Sequence, residues 1–236
     1  MSRAKILIMC GGRGKRLNKL TENTPKSLVQ FRGRTILEFK IEQYVDQGFR
    51  EFIFCTGFAG DKIRQAVEAA DFDIDASFSE VGLDAGILER LYHARDLFGD
   101  FVVMTYGDTF TDIAVAELVD SHVRSDNEAT IVVAPIQSPF GLVEFDGENK
   151  VTFFREKPTL NYYIGYAVIN RSAFDLVPSK VIGMPDGQGL VTFYKILMGM
   201  ERLGVFHHSG LQVTFNTEDE LKAAEEELVR FYTAKE

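Results

Sequence analysis

The sequence predicts an α/β fold with a wound, mixed and predominantly parallel sheet, and three observations favour it. Short apolar runs alternate with helical patterns through about the first 125 residues, which is typical of parallel strands joined by helices. The first run, from Ala4 to Met9, leads directly into a glycine-rich loop. Beyond residue 125 the apolar runs are separated by short turns such as Asp146-Gly147, which predicts a β-rich extension.

The bounds of each predicted element follow from apolar spacing and from the turn residues at its ends. Strands are predicted first at residues 5–9, 51–55, 73–78 and 101–106. Helices are predicted at 35–47, which Gly48 ends, at 61–69, and at 86–98 before Gly99. Later strands are predicted at 129–134, 142–145, 151–154 and 163–169. The glycine-rich segment 183–189 predicts either a mobile loop or a plain surface connection.

Length and charge exclude several classes of protein. A chain of 236 residues can fold as one α/β enzyme domain, and we expect a single domain over 1–236. A net charge of −9 disfavours binding to nucleic acid or to an anionic membrane. No apolar run approaches the ~18 residues of a membrane span, and Met1-Ser2-Arg3 leads straight into a strand. With only two cysteines, we expect a cytoplasmic protein without disulfides.

The loop after the first strand is suited to hold a polyphosphate. Its backbone is freed by the glycines Gly11, Gly12 and Gly14, so several N–H groups can point at one anion. Positive charge comes from Lys15, Arg16 and, further on, Lys26. A P-loop is excluded, because Met9 replaces its first glycine and Arg16 its hydroxyl residue, and Leu17 replaces the third glycine of a dinucleotide fingerprint. A glycine-rich turn with solvated cations is the alternative.

The joint pattern Gly-Gly-x-Gly-x-Arg-Leu, Leu20-Thr21 and Pro-Lys-x-Leu-Val resembles the signature of the sugar-phosphate nucleotidylyltransferases. These enzymes join a nucleoside triphosphate to a phosphorylated acceptor and release pyrophosphate. The resemblance implies a Rossmann-like nucleotidyltransferase fold with a nucleotide-binding half over about 1–125 and an acceptor half over about 126–236. It implies two catalytic cations, Arg16 on the leaving phosphates and Lys26 on the α-phosphoryl group. It also assigns nucleotide binding to Cys10, Gly11, Gly12, Gly14 and Lys15.

A carboxylate stands at the end of the predicted strand 101–106. Ligands of wound sheets sit beyond such strand ends, so Asp108 is placed to hold Mg2+ against phosphates, with Gly107 beside the nucleotide. An N-capping aspartate in an ordinary turn is the alternative. The form Thr105-Tyr106-Gly107-Asp108 resembles the glucose-1-phosphate cytidylyltransferase branch.

That branch also bears on the base. Gly86, Leu88 and Arg90 are similar in register to its base-recognition segment, although Ile87, Leu88 and Leu91 also form the apolar stripe of a helix. The resemblance implies that Gly86 and Arg90, to which we add Glu80, bind the nucleotide. It implies CTP as the donor, with UTP, GTP and dTTP as alternatives.

The acceptor side resembles the family at three short elements. Glu156-Lys157-Pro158 matches its Glu-Lys-Pro element, which implies that Lys157 holds the incoming phosphate and Glu156 accepts hydrogen bonds. Gly141 and Gly165 are similar to glycines that let the acceptor approach the backbone. The acceptor remains open: a sugar 1-phosphate, a phosphorylated amino alcohol or a phosphonate.

The last informative segment is a predicted apolar strand that is followed, from Thr217, by a predicted acidic helix. Family members usually place an aspartate before this threonine as a second metal ligand, and here the residue is Asn216, with Asp219 as the alternative ligand. A kinase or ATPase and a non-catalytic nucleotide-binding homologue remain as rival functions, and assembly into a homo-oligomer stays open.

Overall fold

The structure is a computed structural model that describes residues 4–12, 21, 24–31, 33–185, 187–215, 217 and 219–225. The predictions at Gly14, Lys15, Arg16 and Asn216 lie outside these described residues.

The first half alternates strands and helices as predicted. Its elements, in order, are β1 (Lys5–Met9), a 3₁₀ turn (Lys26–Leu28), β2 (Gln30–Phe31), β3 (Arg34–Thr35), α1 (Ile36–Asp46), β4 (Glu51–Thr56), α2 (Gly60–Ala69), β5 (Asp75–Glu80), α3 (Ile87–Ala94) and β6 (Phe101–Tyr106). Helix α1 starts at a capping box, in which Thr35 accepts from the backbone of Glu38 and the Glu38 carboxylate accepts from that of Thr35. The predicted helix 86–98 is shorter than expected, because its α-helical part ends at Ala94 and a 3₁₀ turn follows.

The second half is richer in strands. Its elements are β7 (Thr109–Thr111), α4 (Val115–Val123), β8 (Ala129–Gln137), β9 (Leu142–Phe145), β10 (Val151–Arg155), β11 (Thr159–Asn170), a 3₁₀ turn (Arg171–Leu176), α5 (Ser179–Ile182), α6 (Gln188–Gly199), β12 (Leu203–His207) and β13 (Gln212–Thr214). The described part of the glycine-rich segment 183–189 connects α5 to α6. Residues 219–225 are helical, and the Thr217 hydroxyl accepts from the Glu220 amide at 3.2 Å, which caps the start of this helix.

Seven strands form the central sheet in the order β12-β8-β11-β6-β1-β4-β5. The pairs are parallel except the two that β11 forms with β6 and β8. The predicted wound, mostly parallel sheet is therefore confirmed. The chain leaves β1 toward β4 on one side and returns to β6 on the other, so the strand order reverses between β1 and β6.

Helices cover both faces of this sheet. One apolar cluster packs α1, α2 and α4 against the strands, and includes Leu37, Ile63 and Leu118. A second packs α3, α5 and α6 against the other face, and includes Leu88 and Phe193. No helix among the described residues is both long and apolar enough to cross a membrane.

Three two-stranded sheets accompany the central sheet among the described residues, and the short strands β2 and β3 form one of them. Strands β9 and β10 pair antiparallel as a hairpin between β8 and β11. Strands β7 and β13 pair antiparallel, with Thr109 opposite Thr214, and bring the chain after residue 108 beside the chain before residue 215. An apolar cluster that includes Phe39, Phe110 and Phe215 packs beneath the β7–β13 pair.

Candidate active site

A cleft of about 850 Å³ opens at the carboxyl edge of the sheet, at the point where the strand order reverses. Wound α/β sheets bind ligands at this position, since the loops that leave neighbouring strands diverge there. The ends of β1 and β6, the 3₁₀ turn after Pro25, the loop before α3 and strand β13 all contribute to its lining. Parts of the chain that lie far apart in sequence therefore share one cleft.

The most polar contact in this cleft joins Lys26 to Asp108. The Lys26 Nζ lies 2.7 Å from the Asp108 Oδ2, and the two side chains are 13% and 30% exposed. The same ammonium donates a hydrogen bond to the backbone carbonyl of Phe215 and lies 5.0 Å from the centre of the Phe215 ring. A cation and a carboxylate, both reachable from solvent, thus stand side by side on the cleft wall.

Close backbone packing fixes the position of Asp108. The residue before it, Gly107, passes directly over the end of β1, where a Cβ would lie 2.6 Å from the Met9 carbonyl oxygen. No L side chain fits at that distance without a shift of the backbone. Glycine at 107 therefore lets the chain leave β6 tightly against β1 and sets the carboxylate of Asp108 into the cleft.

Aromatic rings form another wall of the cleft. Tyr106 and Tyr163 pack edge to face with their centres 6.0 Å apart, and both line the cleft. Behind them the Tyr163 and Tyr194 hydroxyls lie 3.3 Å apart. Gly165 adopts φ +79°, and a Cβ there would lie 2.6 Å from the Tyr106 ring. This glycine is therefore required both for its backbone conformation and for the close approach of the tyrosine.

Arg90 organises the loop that leads into α3. Its side chain is buried, and its guanidinium donates to five backbone carbonyls, those of Thr56, Val81, Gly82, Leu83 and Ala85. The closest of these distances is 2.5 Å, to the Thr56 oxygen at the end of β4. A Cβ at either Gly11 or Gly57 would lie 2.5 Å from an Arg90 nitrogen. The guanidinium thus ties the loop 81–86 to the carboxyl edge of the sheet, beside the start of the glycine-rich loop.

The donor set was tested for its fit to Mg2+. The described residues contain no group of three or more His, Cys, Asp or Glu side chains arranged to hold a metal. They do provide the Asp108 carboxylate, partly exposed in the cleft and already opposite a cation. Mg2+ often binds through one or two carboxylates together with waters and substrate phosphates. The described residues therefore fit a Mg2+ ion that binds together with a triphosphate. They do not provide enough ligands to bind the ion by themselves.

The predicted site residues fall into three groups, and one of them, Gly14, Lys15, Arg16 and Asn216, lies outside the described residues. Those that line the cleft are Cys10, Gly11, Gly12, Lys26, Arg90, Gly107, Asp108 and Gly165. Those that are described but stand outside its lining are Glu80, Gly86, Gly141, Glu156 and Lys157. Burial raises the pKa of the Cys10 thiol to about 12, so this cysteine contributes a neutral surface to the cleft.

The residues predicted to bind the acceptor lie in two different places. Gly165 sits in the cleft, whereas Glu156 and Lys157 lie exposed after β10, at the start of the return into β11. Lys157 adopts φ +42°, and a Cβ on Gly141 would lie 3.3 Å from the Glu156 carboxylate. Gly141 and Glu156 therefore come together, at the base of the hairpin.

Two buried polar residues were missed by the sequence reasoning. Lys40 and Gln43 lie on α1 among apolar neighbours, and both bond to carbonyls of strand β7, directly after Asp108. A signal was present, since Lys40 occupies the same helical stripe as Ile36 and Tyr44, four residues away on either side. A charged residue in an apolar stripe indicates a buried partner.

The fold and the cleft together define the class of protein. It is a wound α/β protein whose cleft lies where the strand order of the sheet reverses, the position at which such sheets bind nucleotides. Comparison with known proteins agrees. The sequence profile of the family described as nucleotidyl transferase matches residues 5–175. The chain belongs to this nucleotidyl transferase family.

Particular relatives carry different names. A Bacillus subtilis (strain 168) protein named "Probable glucose-1-phosphate cytidylyltransferase" is 29% identical, over 90% of this chain and 91% of its own length. The "Mannose-1-phosphate guanylyltransferase catalytic subunit beta" of Drosophila melanogaster is 30% identical over 75% of this chain, which spans only about half, 51%, of that protein. Among solved structures, a Bacillus anthracis protein titled "Putative Glucose-1-Phosphate Thymidylyltransferase" superposes with a TM-score of 0.74 at 19% identity, over 94% of each chain. These matches share the nucleotidyl transferase family, and their names differ in the nucleotide.

Proposed function

We propose that the chain is a cytidylyltransferase, which transfers the CMP group of CTP to a phosphate or phosphonate oxygen of a small acceptor and releases pyrophosphate. The observation that carries this proposal is the Lys26–Asp108 pair, at 2.7 Å, in a cleft that begins at Gly11 and Gly12. The similarity to the Bacillus subtilis protein named as a cytidylyltransferase, over nearly the full length of both chains, supports CTP as the donor.

The chemistry needs no covalent enzyme intermediate. An acceptor oxygen attacks the α-phosphorus in line, the new P–O bond forms, and the bond to the β-phosphate oxygen breaks with release of pyrophosphate. Positioning and neutralisation of charge supply most of the rate enhancement in such reactions. In this proposal Lys26 stabilises the developing charge on the α-phosphoryl oxygens, and Arg16 holds the leaving phosphates.

The Lys26 ammonium and the Asp108 carboxylate form an ion pair in the cleft. In the proposed complex Lys26 would contact the α-phosphate, and Asp108 would hold the Mg2+ that accompanies the triphosphate. The chemistry supplied by a bound Mg2+ is neutralisation of charge on the phosphate oxygens. Because the Phe215 carbonyl also accepts from the Lys26 ammonium, Lys26 has a second protein contact that can orient it toward the phosphate. Asn216, the residue after Phe215, is the proposed second ligand, with Asp219 as the alternative.

Base recognition is assigned to the loop that precedes α3. In this proposal Arg90 acts indirectly, because its five hydrogen bonds to backbone carbonyls hold the loop shape that the base meets. Leu83, Asp84 and Ala85 line the cleft and are available to contact the pyrimidine. A site whose hydrogen bonds are built for one base rejects another strongly, since buried polar groups are then left unpaired.

The acceptor enters from the aromatic wall. Tyr106 at the end of β6 and Tyr163 and Gly165 on β11 line the cleft together, and we propose that the acceptor binds against them. We also keep Glu156 and Lys157 as proposed acceptor contacts. Because both residues lie outside the lining of the cleft, either the acceptor must extend out to them or the β9–β10 hairpin must move toward the cleft.

The deciding experiment is a pyrophosphate-release screen of CTP, UTP, GTP and dTTP against phosphorylated sugars, amino alcohols and phosphonates. We expect CTP to give the highest kcat/KM by at least about tenfold, roughly 1.4 kcal/mol in transition-state binding. Faster release with another nucleotide would reject the base assignment and leave the reaction class intact. Orthophosphate in place of pyrophosphate would indicate a kinase or ATPase, and binding without any turnover would indicate a non-catalytic homologue.

A further inference from the structure

We propose that Lys40, a fully buried lysine on α1, is a positioning residue that holds Asp108 in place for metal and phosphate binding. The inference rests on the proposed function, since it gives Asp108 the role of metal ligand. It does not place Lys40 in contact with substrate. Its basis is a set of hydrogen bonds that run from one face of α1 to the segment directly after Asp108.

Lys40 is an unusual residue for its position. Its relative exposure is 0%, and the described part of the chain offers no carboxylate within ion-pair distance of it. The ammonium donates to the Thr109 carbonyl oxygen and to the Tyr166 hydroxyl, the latter at 3.1 Å. Ring centres of Tyr166, Phe110 and Tyr44 lie 5.0, 5.4 and 5.8 Å from the Nζ. Hydrogen bonds and ring faces therefore stand in for an anionic partner.

The Thr109 carbonyl is the focus of this arrangement. It accepts from Lys40 and also from the Tyr166 hydroxyl, at 3.0 Å. Thr109 is the residue next to Asp108, so two buried donors on different elements, α1 and β11, fix the peptide that follows the carboxylate. A shift of this peptide would move Asp108 directly.

The same face of α1 holds the rest of the segment. Three residues on from Lys40, the Gln43 side-chain amide donates to the Thr111 carbonyl. Four residues further, the Gln47 side-chain oxygen accepts from the Val115 amide at 2.9 Å. Spacings of three and four place these side chains on one side of a helix. Helix α1 and its C-cap residue Gln47 thus hold the segment 109–115 at three points, and Lys40 provides the contact nearest to the cleft.

These contacts also reach the partner of Asp108. Strand β7 pairs with β13, with Thr109 opposite Thr214, and the next residue, Phe215, supplies the carbonyl that Lys26 contacts. Fixing Thr109 therefore fixes both sides of the Lys26–Asp108 pair. Burial of a charge lowers stability unless its contacts compensate, and well-packed apolar residues often replace buried charges at no loss. A role in positioning gives a reason for a lysine here.

The test replaces Lys40 by methionine, which keeps the chain length and removes the donor and the charge. Two quantities are measured: Mn2+ binding in the presence of CTP by electron paramagnetic resonance, and turnover as a function of Mg2+. We expect the half-saturating Mn2+ concentration to rise by about fivefold or more, and kcat at saturating CTP to fall by about tenfold to a hundredfold, since ångström-scale misplacement of catalytic groups costs about that much. Lys195→Met, which removes one charge from the exposed face of α6, serves as the control and should change neither quantity.

A second variant covers the case in which Lys40→Met does not fold. Tyr166→Phe removes only the hydroxyl that shares the Thr109 carbonyl, and should raise the half-saturating Mn2+ concentration by about twofold to fivefold. If Lys40→Met folds and shows wild-type Mn2+ affinity and turnover, the inference is overturned. If Lys40→Met does not fold, the same result for Tyr166→Phe overturns it. If wild-type protein binds Mn2+ with CTP but releases no pyrophosphate with any acceptor, the proposed function fails, while the Mn2+ comparison still decides the role of Lys40.

Discussion

Replacement of Gly107 by alanine tests whether close packing at the end of β6 sets the position of Asp108. The glycine lies against β1, where Met9 pairs with Tyr106, and it is buried. A Cβ at 107 would lie 2.6 Å from the Met9 carbonyl oxygen, which is backbone and cannot rotate away. The added methyl group therefore forces one of the two strand ends to move.

The size of this movement follows from the contact distance. A Cβ becomes barely tolerable at 3.0 Å and comfortable at 3.4 Å, so the strand end must shift by about 0.4 to 0.8 Å. Asp108 is the next residue, and its 2.7 Å contact with Lys26 has little slack for such a displacement. Since a misplacement of about 1 Å can lower the rate about a hundredfold, we expect kcat to fall by about tenfold to a hundredfold. Overpacking should also lower stability, by about 1–3 kcal/mol.

The assay is pyrophosphate release at saturating nucleotide over a range of Mg2+ concentrations, with a thermal melt to confirm that the variant is folded. Gly183→Ala is the matched control, because no atom lies within 4 Å of its added Cβ and its φ of −86° suits any residue. That control should keep wild-type turnover. A folded Gly107→Ala protein with unchanged kcat and unchanged Mg2+ dependence would refute the reasoning that this close approach positions Asp108.

Three further predictions follow from side chains of known contacts. Lys26→Ala should lower kcat by ~10²–10⁵ while nucleotide binding weakens far less, and a loss below about fivefold in turnover assays of folded protein would remove Lys26 from catalysis. Arg90→Met should lower the free energy of unfolding, measured by urea denaturation, by about 3 kcal/mol, because several buried carbonyls lose their donor. It should also weaken CTP binding, measured by titration, and unchanged CTP affinity would contradict the role of Arg90 in the loop. Burial lowers the pKa of His122 despite opposing effects of Asn170 and Glu128, so its stabilisation is present above about pH 6.5 and lost as the pH falls through the folded-state pKa. His122→Gln should therefore flatten the decline of Tm between pH 7 and pH 5, and an unchanged decline would exclude this histidine as its source.

Much of the fold could be predicted because its signals are local. Strands β1 and β6 have the predicted bounds, since each is a short apolar run ended by a glycine-containing turn. The capping box of α1 is likewise written in neighbouring residues, Thr35 and Glu38. The predicted end of the helix at residue 98 is wrong, since the α-helix ends at Ala94 and a 3₁₀ turn follows. Apolar periodicity does not distinguish a last α-helical turn from this tighter turn.

Residue type and order along short segments suffice to predict the glycine-rich loop after β1, the cation Lys26 and the carboxylate Asp108 at the end of a strand. The contacts of Lys26 with Asp108 and with the Phe215 carbonyl, 82 and 189 residues away in sequence, become visible in the folded chain. The folded chain also shows that Arg90 and Lys40 are buried and bonded to backbone carbonyls. The physical reason is that contacts of this kind depend on strand order and register, and these are fixed by packing of the whole sheet. A local pattern specifies which groups are available, and the packed fold selects which of them meet.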